Sequence, residues 1–453
     1  MDKVHLTVRR GPMRRLNGLR NLLFDGVEEA TNLVEKTHRS VTDKTVKRVS
    51  LARPLAGGAR AAGAIEIESA GMVYSTIRGV NTLVRTLVDT GAGAVGGNLP
   101  AVKEWATPQS SDAAGTLNWL VDSAEGALNG VVGDYLARRG NRLDLGMGFR
   151  LEGNPVAVEK EALAALYPDA TGRIVVFVHG LSCTEWEWNL FARQYYGDPR
   201  VNFGSRLKAD LGLTPFFVRY NTGRHVSESG RDLSELLEAF IGAYPVKVKD
   251  LILVGHSMGG LVVRSAAASA SSGKKKWVKK LRSVFCLGAP NLGAPMEKAA
   301  NMLSCVLRSF DTPGTKVPAA ILDARSSGIK DLRFGYTADS EWQGKDPDSL
   351  LEDNRENAPL VDRVGYYSVA ATITKDPEHP LGRILGDLLV RVPSAAGAAK
   401  EPARRIPFSA GSVFGGMTHF HLSNHPAVYE IVKMCIESSP SVPRLPGPGE
   451  KRP

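Results

Sequence analysis

Between about residue 146 and residue 435 the chain alternates short, nearly continuous apolar runs with helical segments. The clearest runs are RIVVFVHG (173–180), TPFFVRYN (214–221), DLILVGHS (250–257), RSVFCLGAP (282–290) and GYYSVAAT (365–372). Runs this short and this uniformly apolar read as strands buried on both faces. SRLKADLG, DLSELLEAFIGAY and the Ala/Ser-rich stretch after residue 257 lie between them and read as helices. Such alternation predicts βαβ crossovers, so the fold class is α/β: a mostly parallel sheet with helices on both faces. The gap at about 291–364 is too long for a simple crossover. It holds the helix-like MEKAANMLSCVLRSF and polar, Pro/Gly-rich connections, and is expected to be an inserted cap.

Residues 1–145 have a different texture, helical with glycine breaks. Val73, Ile77, Val80, Val84 and Leu87 alternate spacings of four and three, which marks one apolar helix face. Val27, Ala30, Val34, Thr37 and Val41 keep the same rhythm more weakly, and Leu117, Leu120, Ala124, Leu128, Val131 and Tyr135 make a third stripe. These faces are expected to pack against one another or a neighbouring domain; the sharper alternative is docking on a lipid surface. Residues 436–453, SPSVPRLPGPGEKRP at their end, are expected to form a disordered Pro-rich tail. The expected division is therefore 1–145, 146–435 and 436–453.

Composition changes this picture little, since 43% hydrophobic and 23% charged residues are ordinary for a globular chain. Charge adds more. Residues 1–60 hold 13 Lys/Arg against 6 Asp/Glu, so most of the net +10 belongs to an N-terminal arm. Such an arm suits an anionic lipid surface or plain solvation. Nucleic acid is not expected as a partner, because no aromatic residues interleave the basic ones and no reading motif accompanies them. The N-terminus lacks the apolar core of a secretory signal, and no run reaches the ~18–20 residues of a membrane span. Cys183, Cys286, Cys305 and Cys435 show neither pairing nor metal-ligand spacing, so a reducing, cytoplasmic setting is expected, with peripheral membrane contact as the variant.

The chemistry centres on LILVGHSMGGLVVRSA, 251–266. The bare G-x-S-x-G pattern is weak, but here a strand runs straight into it and a helix straight out. A serine on so tight a turn needs little bulk two residues before and after, which Gly255 and Gly259 supply. The helix then aims its N-terminal N–H groups at developing negative charge. Ser257 is thus the candidate nucleophile, and it needs a base and an orienting carboxylate. In a strand–serine–helix fold the chain order should be serine, acid, histidine. The histidines in GGMTHFHLSNHPAVYEIV, namely His419, His421 and His425, fall where the base should be, and His379 is the remaining one after Ser257. Asp376, Glu378 and Asp387 are the candidate acids beyond the strand GYYSVAAT. Chemistry alone does not choose among them.

VFVHGLSCTEWEW, GHSMGG, LGAPNLGAP, GDLLVRVPSA and MTHFHLSNHPAVY together resemble the α/β-hydrolase superfamily. Within it they are similar to bacterial lipases and esterases of the GPI inositol-deacylase-like (PGAP1-like) group. The resemblance covers roughly residues 170–435. It implies His419, the first histidine of an H-x-x-L-x-x-H-P-like segment, as the base, and Asp387 of a G-D-G-x-V-like segment as the acid. Leu388 stands where that segment has its second glycine. It further implies an oxyanion hole from the N–H groups of Leu181 and Met258, with His179 structural. The activity implied is that of a carboxylic-ester hydrolase with a Ser257–His419–Asp387 acyl-enzyme mechanism, needing no metal or organic cofactor. A small-molecule or lipid ester is the expected substrate, and lipid-surface contact through residues 1–145 stays the alternative to packing given above. An acyltransferase or thioesterase with the same triad is the enzymatic alternative. A non-catalytic lipid-surface or granule-binding protein is the alternative from another class.

Overall fold

The structure is a computed structural model that describes residues 113–294, 325–346, 353–356 and 358–438, all within a compact unit, Val102–Pro453. The stripes beginning at Val27 and Val73, the basic arm, the segment MEKAANMLSCVLRSF and the tail from 439 lie outside the described residues.

Helix α1 (Ala113–Arg138) leads into a hairpin, β1 (Met147–Leu151) and β2 (Asn154–Val156), followed by α2 (Lys160–Leu166). Then come β3 (Arg173–Val178), α3 (Ala192–Tyr196), α4 (Phe203–Leu211), β4 (Thr214–Tyr220), α5 (Val226–Ala243), β5 (Asp250–His256) and α6 (Met258–Ser272). The chain continues with β6 (Leu281–Leu287), α7 (Ser327–Asp331), β7 (Gly365–Thr372), α8 (Pro380–Leu385), α9 (Val392–Ala395), β8 (Ala410–Gly415) and α10 (Pro426–Ser438). The strands form one sheet in the order β2-β1-β4-β3-β5-β6-β7-β8. From β4 to β8 every pairing is parallel, and only the β1–β2 and β1–β4 pairings are antiparallel.

The five apolar runs are the five strands β3 to β7, so the α/β expectation holds. Side chains along a strand alternate faces, and both faces here are apolar. Ile174, Val176 and Val178 join Leu251, Leu253 and Val284 beneath α5 and α6, against Leu233, Leu237, Phe240 and Val262. Val175 and Phe177 join Ile252, Val254 and Phe285 on the other face, against Phe203 and Leu207 of α4 and Val428 and Val432 of α10. Each fully buried side chain of this size contributes about 1.5–3 kcal/mol of transfer free energy. The central strands are therefore held from both sides, and their C-terminal ends form a firm base for loops.

Helix α1 departs from its predicted face at two positions, while the side chains of Leu117, Leu120 and Ala124 lie outside the described residues. Val131 and Tyr135 of the apolar stripe are exposed, 44% and 52%. The face that meets the sheet is polar and small instead. Asp122 takes two hydrogen bonds from the Arg219 guanidinium, at 2.6 and 2.7 Å, and one from Trp186 Nε1 at 2.8 Å. Arg219 also reaches both oxygens of Glu185, at 2.7 and 2.6 Å. Asn221 Nδ2 donates to the carbonyl of Gly133, and a Cβ on Gly130 would sit 1.9 Å from Ser182 Oγ. Helix α1 lies this close where Gly126, Gly130 and Gly133 leave no side chain in the way, and it covers the loop that follows β3.

The described part of the expected cap also fastens to the body. Ser326 Oγ donates to the carbonyl of Gly130 on α1. Asp331 accepts from the Val226 N–H at the start of α5 and pairs with His225 Nδ1, whose ring stacks on Trp342 at 3.6 Å.

Candidate active site

Ser257 stands between β5 and α6 with φ +53° and ψ −125°. A serine in this region is strained, and the surrounding turn over-determines it. Its N–H donates to the Leu287 carbonyl at 2.8 Å. A Cβ on Gly259 would lie 2.2 Å from the Val178 carbonyl oxygen, and one on Gly255 would lie 2.3 Å from that of Gly259. The two glycines are therefore required for α6 to start directly against the end of β3, and the serine is half-buried at that junction.

The turn after β3 lies beside it, for a Cβ on Gly180 would meet Ser257 Cβ at 3.0 Å. In this turn the Gly180 N–H donates to Glu187 Oε2 at 2.7 Å, and the Ser182 N–H donates to Thr222 Oγ1 at 3.1 Å. Between them the Leu181 N–H makes no hydrogen bond among the described residues. The Met258 N–H opens helix α6, where backbone donors have no intrahelical partner. These are the two donors expected at an oxyanion hole.

His419 and Asp387 come together deep at the end of the sheet. Asp387 Oδ2 accepts from His419 Nδ1 at 2.7 Å, and both residues are nearly excluded from solvent. The backbone N–H of His419 also donates to the Asp387 carbonyl. Oδ1 of Asp387 accepts from the N–H groups of Leu389 and Val390, at 3.0 and 2.8 Å. The carboxylate is fully satisfied and fixes the histidine tautomer with the proton on Nδ1. His419 Nε2 is buried and has no hydrogen-bond partner among the described residues. The ring packs on Gly288, where an added Cβ would come within 3.1 Å of His419 Cε1. Gly288 follows Leu287, the residue that receives the Ser257 N–H. The bond from Ser257 Oγ to Nε2 is not formed in this conformation, and such catalytic bonds commonly tighten only around substrate.

Leu388 explains the missing glycine physically. It takes φ +83°, a conformation where a side chain is costly and glycine is the easy residue. Leucine bears the strain of that conformation here.

The other candidates lie elsewhere in chemical terms. Asp376 and Glu378 sit in an exposed turn, where Asp376 Oδ1 accepts the Glu378 N–H. His379 accepts the Leu381 N–H and caps α8. His421 accepts the Thr418 N–H through Nδ1, and burial lowers its pKa to about 4. His179 Nδ1 lies 2.9 Å from the Gly180 carbonyl and its Nε2 accepts the Tyr220 N–H. That pattern requires a neutral ring, and burial accordingly lowers its pKa to about 4.

Sequence reasoning misses one pair at this site. His256, next to the nucleophile, points its Nδ1 at Glu187 Oε1, 2.8 Å away, and its Nε2 at the His419 carbonyl, 3.1 Å away. Burial opposes charge on both groups, but their mutual attraction wins. The Glu187 pKa falls to about 2 and that of His256 rises. EWEW reads in sequence as an ordinary polar loop, and nothing local marks Glu187 as buried.

No group of His, Cys, Asp and Glu among the described residues could hold a metal ion. Among the same residues no helix is long and apolar enough to cross a membrane.

Solved structures with a similar fold include a Bacillus licheniformis lipase in propeptide form, 16% identical, with a TM-score of 0.40, covering 62% of this chain and 53% of that one. The chain thus spans about half the length of that lipase. A lipase-esterase related protein from Clostridium acetobutylicum is 15% identical, with a TM-score of 0.32, 59% of this chain and 95% of that one covered. A thermophilic esterase from Thermogutta terrifontis is 14% identical, with a TM-score of 0.31, covering 59% and 90%. No curated protein sequence matches the chain. A family profile described as the alpha/beta hydrolase family matches residues 175–430, from within β3 to within α10. That span takes in every parallel strand and more than half of the sequence, and the chain belongs to the alpha/beta hydrolase family.

Proposed function

We propose that the protein is a serine carboxylic-ester hydrolase of the esterase/lipase kind. The observation that carries this reading is the buried His419–Asp387 pair, whose Nε2 has no partner among the described residues and lies beside the turn that presents Ser257.

In the proposed mechanism Nε2 of His419 takes the Ser257 proton as Oγ attacks the ester carbonyl carbon. Asp387 holds the Nδ1 proton and stabilises the imidazolium. The Leu181 and Met258 N–H groups receive the oxyanion, the largest single stabilisation in such sites. Collapse expels the alcohol with the proton returned from His419, leaving an acyl-Ser257. Water, deprotonated by His419, attacks in turn and releases the carboxylic acid.

Kinship with the GPI inositol-deacylase-like lipases and a preference for lipid esters belong to the same proposal. So does peripheral contact with anionic lipid through residues 1–145. Val131, Tyr135 and Leu143 are exposed beside the exposed Arg138, Arg139 and Arg142, the mixture an interfacial surface uses. Hydrolysis of p-nitrophenyl esters of increasing acyl length tests the reading. Turnover that disappears in Ser257→Ala supports it, and longer acyl chains should be favoured over acetate. Equal turnover by Ser257→Ala protein contradicts it.

A further inference from the structure

The Glu187–His256 pair takes no part in the acyl-transfer steps above, yet its side chains are 1% and 0% exposed. A buried ion pair of this kind is seldom a net gain in stability over apolar residues of the same size. What it gives is direction, and its hydrogen bonds to Gly180 and to His419 both end on the reaction centre. Glu187 Oε2 holds the Gly180 N–H at 2.7 Å, in the turn whose next N–H is that of Leu181. Glu187 Oε1 holds His256 Nδ1. His256 Nε2 holds the backbone carbonyl of His419, and the two imidazole rings lie 4.7 Å apart. His256 itself is the neighbour of Ser257.

We infer that Glu187 and His256 act as a positioning pair, holding the oxyanion turn through Gly180 and the base through the His419 backbone. The inference rests on the serine-hydrolase reading. Both ring nitrogens of His256 face oxygens that accept, so both carry protons and the ring is an imidazolium. Around it stand Glu187 from the turn after β3, His179 at the end of β3, and His419 and Asp387 from the loops beyond β7. Cys183 and Tyr220 face the Glu187 carboxylate from its other sides. The pair needs no group from outside the protein.

Two variants separate hydrogen bonding from charge. In Glu187→Gln the amide oxygen can keep the Gly180 N–H while its NH2 donates to Nδ1 of a neutral His256, whose Nε2–H still reaches His419. In Glu187→Leu, of similar size, the bonds to Gly180 and His256 are lost. The expected result is a kcat near wild type for Glu187→Gln. For Glu187→Leu kcat should fall on the order of 10²-fold with KM little changed, the effect of misplacing reacting groups by a fraction of an ångström to an ångström. A well-folded Glu187→Leu protein with wild-type kcat would overturn the positioning role.

A spectroscopic readout stands independently of activity and of how well Glu187→Leu folds. In ¹⁵N-histidine-labelled Ser257→Ala protein, both His256 nitrogens should be protonated at about pH 6.5, where an ordinary histidine is half neutral. Glu187→Gln added to it should show a neutral ring. A neutral His256 in the protein with Glu187 intact overturns the inference. An intact imidazolium in wild-type protein that turns over no ester and reacts with no fluorophosphonate overturns the hydrolase reading instead.

Discussion

His419 Nδ1 lies 2.7 Å from Asp387 Oδ2, and the same two residues are joined a second time, backbone N–H to backbone carbonyl. Ring and loop are thereby fixed as one unit. Asp387→Asn keeps the size of the side chain but offers an NH2 or a neutral oxygen to Nδ1, which favours the wrong tautomer. Ester turnover should fall about 10⁴-fold in kcat with KM little changed, measured on the best p-nitrophenyl ester. A loss in KM alone would mean that Asp387 shapes binding and not the base.

The nucleophile turn has no room to spare. Gly259→Ala forces a methyl group against the Val178 carbonyl, and overpacking of this kind costs about 1–3 kcal/mol. Gly242, near the end of α5, has open space where a Cβ would point, with nothing within 4 Å. There alanine should stabilise by up to about 1 kcal/mol, by helix propensity alone. Urea denaturation of the two variants should move the midpoint in opposite directions.

The Asp122–Arg219–Glu185 network ties α1 to β4 and to the loop over the site. Arg219→Met leaves two carboxylates facing each other without their cation, and breaking a buried pair in this way costs about 3–5 kcal/mol. Arg200, exposed and paired with Asp198 on the surface, should give an unchanged Tm on the same substitution. Equal Tm values for the two variants would show that α1 is held by something other than this network.

The five central strands were legible in the sequence because burial on both faces leaves almost no polar residue to blur them. The hairpin β1–β2 was not, since its residues are only partly buried and alternate weakly, patterns an isolated run cannot distinguish from a loop. The serine turn was legible for a steric reason, Gly255 and Gly259 being the only residues that fit. The choice of His419 over His421 and His425 needed family resemblance, because each is flanked by similar residues and differs only in what lies opposite. The apolar stripe of helix α1 faces solvent at Val131 and Tyr135. Among the helix's described residues Asp122, Gly126, Gly130 and Gly133 meet the sheet end and its loops, and a polar or small face announces no partner until Arg219 and Asn221 are placed against it. Glu187 and His256 are 69 residues apart, and nothing in either neighbourhood indicates a pair.

Acid sensitivity should begin well above the carboxylate range. His179 and His421 have folded pKa values of about 4 against an ordinary 6.5. Between those values the unfolded chain binds more protons than the folded one, so stability falls as pH drops from about 6.5 to about 4. Glu187, held at about 2 against 4.5, adds a further loss between about 4.5 and about 2. The raised pKa of His256 runs the other way, with a contribution complete below 6.5 and lost as pH rises through its folded value. Urea midpoints from pH 7 to pH 4 should decline. His421→Asn, whose amide oxygen can accept the Thr418 N–H, should flatten part of that decline.

The most direct measurement is reaction of the full chain with a fluorophosphonate, followed by peptide mapping. One adduct per chain on Ser257 is expected, absent from Ser257→Ala and strongly slowed in His419→Ala. Labelling at another serine, or none in folded wild-type protein, would contradict the account.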